Sequence, residues 1–472
     1  MTSTLGAAAQ GSLDPEWTKA DIPDRYTVVT VGDIIVSQPM LHFIKRQSPD
    51  LLAILENADL VVGNFEGSVI DLRHFDGYPE AESGFSWLIA SPEVAPDLKD
   101  MGFDMLARAN NHATDWGVPG MLMTDDLLSS VGLSLAGTGS SLTAARAPAY
   151  SHGDKASASL VAWTTTYEKN SPAIDAQGQI NARPGASTLH AAPIALVSHD
   201  QLQAIRNIRD SQPKGSIPQV LLDIDNRLDI VTLFGQRYKA KPASSGDTEV
   251  TVSYSLDQKD LDAVLLNVRQ AKQTSDFTVV SSHTHEPNNW TDTPPDFFQP
   301  LAYSAIANGA DLVCGHGPHQ LRGIEVHDGK PIFYSLGDFS FMENARAIVP
   351  RDEWERRIWN VLPGAPDLNP DKMTAAEFME WTRVAGVFSE EIWFESVIAA
   401  STFDASGHVT QIRLYPIELG HKGRDARRGI PMLASPENGV KIMERLQQLS
   451  APYGTEIHID AETGIGMIKA QK

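Results

Sequence analysis

The stretch Ala58-Asp59-Leu60-Val61-Val62-Gly63-Asn64-Phe65-Glu66 decides the fold: a short apolar, β-branched run meets a glycine and then presents an amide and a carboxylate. A run of this kind, bounded by such residues, reads as a parallel strand buried on both faces that delivers polar groups at its C-terminal end. Upstream, Tyr26 to Val31 repeats the plan and ends in Gly32-Asp33, and Met40 to Glu56 between the two has helical spacing. Strand, helix, strand is the rhythm of an α/β sheet, in which ligands gather at the carboxyl ends of the strands.

Working outward, Pro92 to Met101 reads as a helix and Phe103 to Leu106 as a strand running into Ala109-Asn110-Asn111-His112. Val118 to Val131 is the next helix, ended by Gly132. Residues 150 to 275 are less regular, with weak strand signals at Ser159 to Trp163 and Val220 to Leu222 and a helix across Asp260 to Gln273; they are expected to elaborate the core. Phe277 to Ser281 then reads as a buried strand, Pro300 to Asn308 as a helix and Leu312 to Cys314 as a strand. Ile324 to His327 and Pro331 to Ser335 form a hairpin about Asp328-Gly329. The Trp-, Glu- and Arg-rich stretch from 342 to 388 reads as helix and loop, a lid or an oligomer surface, before strands at Glu391 to Ala399 and His408 to Pro416 and a helix from Glu437 to Leu449.

Composition narrows the class. At 472 residues the chain is long enough for one to two domains, and 42% hydrophobic against 21% charged residues describes a globule with ample core. No stretch is apolar enough to cross a bilayer, and residues 1 to 20 lack the basic start and apolar middle of a signal peptide, so the expected location is cytoplasmic. A lone cysteine, Cys314, excludes an internal disulfide and reads as a buried strand-end residue. The formal charge of −22 argues against nucleic acid and anionic membranes as partners. It leaves a small-molecule or peptide-like substrate as the expected partner, with a homo-oligomer as a further expectation.

Four of the 14 histidines fall between 283 and 319, in Ser282-His283-Thr284-His285-Glu286 and Cys314-Gly315-His316-Gly317-Pro318-His319. Each cluster follows a predicted strand, and ligation of a metal by neutral imidazole is the commonest reason for such grouping. Taken singly, each residue also has a bland reading: Asp33 caps a helix, Glu66 is a solvated turn residue and Asn111 forms a left-handed turn. Their recurrence at successive strand ends points instead to a site for one or two divalent ions, Mn, Zn or Fe, mixing imidazole with harder oxygen donors. Asp115 follows His112 at the spacing of one helical turn, where its carboxylate can fix the imidazole as a general acid; the competing reading is an acid favoured by the dipole of the following helix.

At these residues the chain resembles the bacterial CapA family of capsule-synthesis, or poly-γ-glutamate synthesis accessory, proteins, within the calcineurin-like metallophosphatase superfamily. The matching blocks are Val31-Gly32-Asp33, Ala58 through Glu66, Gly102-Phe103-Asp104 leading to Ala109 through Gly117, Ala136 through Gly139, Arg183-Pro184-Gly185, the His283 block, and Gly309 through Phe339. The resemblance spans about residues 26 to 345 and weakens to 455. It implies a four-layer α/β sandwich of the calcineurin-like metallophosphatase fold, with residues 1–25 as an extension, 26–345 as the core, 346–390 as an inserted lid and 391–472 completing the core. It further implies a metal site of Asp33, Glu66, Asn111, His283, His316 and His319, with His112, Asp115 and His285 as catalytic residues. Asn64, Arg183, Glu286 and Asp338 are the expected substrate contacts. Many relatives carry His-Pro-His where this chain has Gly317-Pro318-His319, so that either His316 takes the missing ligand's part or one metal is weakened, and Asn where Asp338 stands.

The leading expectation is a metal-dependent hydrolase that cleaves an amide or ester bond, such as a γ-glutamyl or modified peptide-type bond, through a metal-activated hydroxide. A phosphoesterase or a metal-dependent epimerase uses the same parts, and a non-catalytic capsule or poly-γ-glutamate synthesis accessory protein is the reading from a different class.

Overall fold

A computed structural model describes residues 20–80, 86–242, 248–342, 346, 348–355, 366–385, 389–421 and 427–469. The start of the expected N-terminal extension, part of the expected lid and the last three residues lie outside these. Among the described residues, two large sheets face each other. In one, Tyr26–Ile35 lies at the centre, flanked in parallel by Leu60–Phe65 and then Met105–Ala107 and Ser134–Ala136, and antiparallel by Glu395–Phe403, which in turn pairs antiparallel with Val409–Glu418. In the other, Phe277–His283 is central between Ser157–Thr164 and Leu312–His316, both parallel to it. The hairpin Ile324–His327 with Lys330–Phe333 closes that sheet's edge, its turn made by Asp328 and Gly329, both at positive φ.

The strand sequences explain the layering. Buried on both faces, they alternate which apolar residues go to which side. Val28, Leu60, Val62 and Met105 meet Leu160, Phe277, Val279, Leu312 and Cys314 between the sheets. Val29, Val31 and Val61 point the other way, onto the helices Leu41–Gln47, Pro49–Glu56 and Val94–Asp100. Across the second sheet Val161, Trp163, Val280 and Val313 meet Gln258–Thr274 and Phe298–Ala307. Helix, sheet, sheet, helix is the four-layer sandwich of the metallophosphatase-like fold.

Several elements differ from expectation. Met40 to Glu56 is two helices, interrupted at Ser48-Pro49, where proline has no N–H to continue the ladder. Val220 to Leu222 is not a strand but part of the helix Gln219–Leu228; three apolar residues are too short a run to reveal a period, and Asp225 in that helix turns inward onto Arg209 Nη1 at 3.0 Å and Thr232 N at 2.7 Å. Glu391 to Phe394 is a 3₁₀ turn, and the strand begins at Glu395. Within the region expected to elaborate the core, Ser157–Thr164 is an interior strand of the second sheet, and a separate small sheet forms from residues 191–256. In the expected lid, Ala375–Ala385 packs on Arg351–Trp354 through Trp354 and Phe378, stacked at 4.3 Å. No helix among the described residues is long and apolar enough to cross a membrane.

Candidate metal centre

The polar ends of both sheets converge on one cleft. Asp33 is placed by a close approach: a Cβ on Gly32 would collide with the Gly337 carbonyl, and that same carbonyl accepts from Asp33 N at 3.1 Å. The register beside it pairs Asp33 with Asn64 on one side and Asp338 on the other, and irregularities flanking Asp33 re-aim the strand there. Asn64 Nδ2 donates to Asp33 Oδ1 at 2.7 Å, and Asn64 Oδ1 accepts from Asn110 Nδ2 at 3.2 Å. Glu66 follows one residue beyond its strand, its N–H on Ile34 O at 3.2 Å.

From the opposite sheet, His283 and His316 are the last residues of adjacent parallel strands and stand in register, their Nδ1 atoms 3.1 Å apart. His283 Nε2 lies 2.9 Å from His285 Nε2 and 2.7 Å from Asn111 Oδ1. The far nitrogen of His316 meets Ser281 Oγ at 2.6 Å, which turns the Nδ1 edge toward Asp33. Gly317 N donates to Asp33 Oδ2 at 2.8 Å and joins the two sheets. This needs a glycine: φ is +115°, and a Cβ would stand 2.9 Å from Thr284 O. His319, itself in the left-handed region at φ +55°, points Nδ1 to Asp338 Oδ1 at 3.0 Å.

Three sets of donors are close enough to hold an ion: Asp33, His283 and His316; Glu66, His283 and His285; and Asp33, His319 and Asp338. The decisive fit is at Glu66. Its carboxylate is 1% exposed, and neither oxygen has a hydrogen-bond partner. An unpaired buried carboxylate is costly, and a cation is what satisfies it. The nitrogen spacings agree, since two donors on one ion, each about 2.1 Å away and at right angles, stand about 3 Å apart.

Charge in the cleft follows from burial. Burial, and next Asp338, pushes the Asp33 carboxyl up to about 7. Glu66 rises well above the usual range through burial and then Asp33. The imidazoles go the other way: burial holds His283 and His285 well below the ordinary histidine value and brings His316 down to about 3. His319 is the exception, because Asp338, Glu66 and Asp33 outweigh its burial and lift it to about 10.

At the rim His112 Nδ1 meets Asp115 Oδ2 at 2.8 Å, and its Nε2 faces Glu66 Oε1 at 3.9 Å. Asp115 precedes the helix Gly117–Ser130 and lies outside its first turn; it is held by Leu88 N at 2.6 Å, and burial raises it to about 6 against the pull of His112. Of the expected substrate contacts, Asn64 and Asp338 sit inside the cluster. Glu286 Oε2 takes three hydroxyls, those of Thr165, Thr166 and Thr284, at 2.8, 2.9 and 2.5 Å. Arg183 is engaged elsewhere, donating from Nε and Nη2 to Pro172 O at 3.2 and 3.0 Å. Of the paired asparagines read from the sequence, Asn111 faces His283 and Asn110 stands behind it on Asn64 and Phe65 O, whereas Ser281 and the Gly317 amide are part of the arrangement and were not read from the sequence.

A model of the family described as bacterial capsule synthesis protein PGA_cap matches residues 27–343. The protein y4sH of Sinorhizobium fredii is 38% identical over 453 residues, covering 95% of this chain and 94% of that one. PGA biosynthesis protein CapA of Bacillus subtilis is 26% identical over 336 residues, 70% of this chain and 67% of its own. Capsule biosynthesis protein CapA of Bacillus anthracis is 24% identical over 323 residues, 67% of this chain and 60% of its own.

Proposed function

The chain belongs to the bacterial capsule synthesis protein family PGA_cap, and from that premise we propose that it is a metal-dependent hydrolase of an amide or ester bond. The observation that carries this reading is the Glu66 carboxylate, buried without a hydrogen-bond partner among imidazoles, with a His–Asp pair facing it from the rim. Asp33, Glu66, Asn111, His283, His285, His316, His319 and Asp338 are the residues that would hold one or two ions. Divalent ions bound there lower the pKa of coordinated water and neutralise charge developing on the carbonyl oxygen.

The protein's own groups account for the remaining needs. Asp115 accepts from His112 Nδ1, so Nε2, the atom facing the cleft, is the nitrogen that exchanges a proton with the substrate: it gives one up from the imidazolium form, which the Asp115 carboxylate stabilises. When water adds to the carbonyl carbon and the C–N or C–O bond breaks, the Nε2 proton passes to the leaving atom, and the proton that the water gives up restores His112. Asn64 and the Gly317 amide keep Asp33 oriented throughout. The inserted segment supports a covering role near this arm: Arg346 Nη1 donates to Trp87 O, and Trp87 packs with Trp116, the residue after Asp115.

The names of the Bacillus relatives place those proteins in PGA and capsule biosynthesis, which makes a γ-glutamyl amide the first substrate to try here. The same names favour a second reading, an accessory protein without catalysis. The test is a hydrolysis screen of metal-loaded protein against γ-glutamyl anilides, simple esters and p-nitrophenyl phosphates. Amide or ester cleavage that disappears in His112→Ala is the expected result. Faster cleavage of the phosphate esters, or no cleavage of any class, overturns it.

A further inference from the structure

Two of the four histidines owe their positions to strands and two do not. His283 and His316 end their strands in register, whereas His285 and His319 lie beyond the last ladder pairs, where backbone pairing no longer fixes a side chain. After His285 the chain runs without helix or strand to Phe298. Yet four carbonyls of this stretch, those of Glu286, Asn288, Asn289 and Thr291, are anchored by the segment after His319.

Arg322 is the main one. It is fully buried, at 0% exposure, and its guanidinium gathers three backbone carbonyls of the loop: Nη2 donates to Glu286 O at 2.9 Å and to Asn288 O at 3.3 Å, and Nε to Thr291 O at 3.2 Å. Gln320 Nε2 donates to a fourth, Asn289 O. Arg322 is itself fixed, its N–H on Ser335 O at 3.1 Å. The other side of the loop is tied through Glu286, whose three threonine hydroxyls include Thr166, and Thr166 Oγ1 also accepts from His285 N at 2.9 Å. A rigid planar fork can span several carbonyls at once in a way that an ammonium does not. Its Nη1 is buried without a hydrogen-bond partner, so what offsets burial of the charge comes through Nη2 and Nε, and the loop carbonyls they hold would be orphaned without it.

We propose that Arg322 is a positioning residue for the metal centre: it bolts the loop carrying His285 to the segment carrying His319, so that the spacing of these two off-strand ligands is preset. This rests on the reading of the cluster as a metal site. Groups that orient ligands without touching the ion typically contribute about 10- to 100-fold in affinity. The expected effect falls on the Glu66, His283 and His285 set more than on the set containing Asp338, which the Gly32 and Gly337 contact holds independently.

The experiment titrates metal-depleted protein with Co²⁺ and reads visible absorption, comparing wild type with Arg322→Met, which keeps the aliphatic stem, and Arg322→Lys. Arg322→Met should weaken Co²⁺ binding about 10- to 100-fold and alter the band shape that reports ligand geometry, with Arg322→Lys intermediate. Amide hydrogen exchange across 284–292, measured without metal, should accelerate in Arg322→Met. Should that variant fail to fold, Gln320→Met removes one bolt and should speed the same amides. Wild-type affinity and spectrum in a folded Arg322→Met, or unchanged exchange in the variants, overturns the proposal. A wild-type protein that takes up no Co²⁺ instead overturns the metal reading, and the exchange comparison still decides whether the clamp exists.

Discussion

The two walls of the cleft are opposites in chemistry and alike in burial. The larger sheet brings Asp33, Glu66 and Asp338, and the smaller brings His283, His285 and His316. Burial drives the acids up, Asp33 to about 7, and drives the imidazoles down, His316 to about 3. Both walls therefore resist carrying charge by themselves. A divalent cation reconciles them, since it stabilises ionised carboxylates and takes imidazole in the neutral form that burial already favours. The contrast teaches that His283, His285 and His316 are prepared as ligands in advance, while the acids, and His319 beside them, become ligands when the ion arrives and a proton leaves.

The largest way to break this comparison is to remove the acid shared by two donor sets. Asp33→Ala should lose more than about 100-fold in metal affinity, beyond the cost of a merely supporting residue, and should bring hydrolysis to background; elemental analysis and the substrate screen check it. His112→Ala separates the rim from the walls. It should retain metal and lose about 10²- to 10⁴-fold in rate, with Asp115→Asn losing less, measured as kcat/KM against metal content. If both behave as wild type, the pair is structural.

Gly32→Ala tests the geometry that brings the acids together. A methyl driven against the Gly337 carbonyl should cost about 3 kcal/mol, read as a fall in Tm, and should weaken metal binding in the same protein. The mildest effect is on pH dependence. An acid raised to about 7 holds its proton below that value and must release it to bind an ion, and His319, lifted to about 10, must do the same, so affinity should rise with pH, about tenfold per unit for each proton displaced, steeply up to about 7 and more gently from there to about 10. The three depressed imidazoles are already neutral there and add nothing to the slope. Calorimetric titrations in buffers of different ionisation enthalpy count the protons; release that tracks ordinary histidine titration instead would erase the difference between the walls.

Much of the fold and the cleft was legible in the chain because buried parallel strands leave apolar, β-branched runs, and the residues just past the end of each run are displayed at the cleft. Asp33, Glu66, His283 and His316 were readable for that reason, and His112 with Asp115 by spacing. The Val220 to Leu222 segment was not, since three apolar residues fit either period and the buried Asp225 is explained by Arg209 in another helix. Ser281 behind His316, the Gly317 amide on Asp33 and Arg322 across the His285 loop were also invisible. Their roles come from register and from contacts to or from the backbone, which no residue pattern encodes. Arg183 is a motif residue two of whose guanidinium nitrogens, Nε and Nη2, donate to the Pro172 carbonyl.

The metal reading turns on Glu66, the buried carboxylate left without a hydrogen bond. Elemental analysis of purified wild type beside Glu66→Gln, which keeps the shape and removes the charge, tests it most directly. Wild type should carry one or two divalent ions per chain, Mn, Zn or Fe, and the variant should carry fewer. Metal-free wild type with full activity, or equal metal in both proteins, would contradict it.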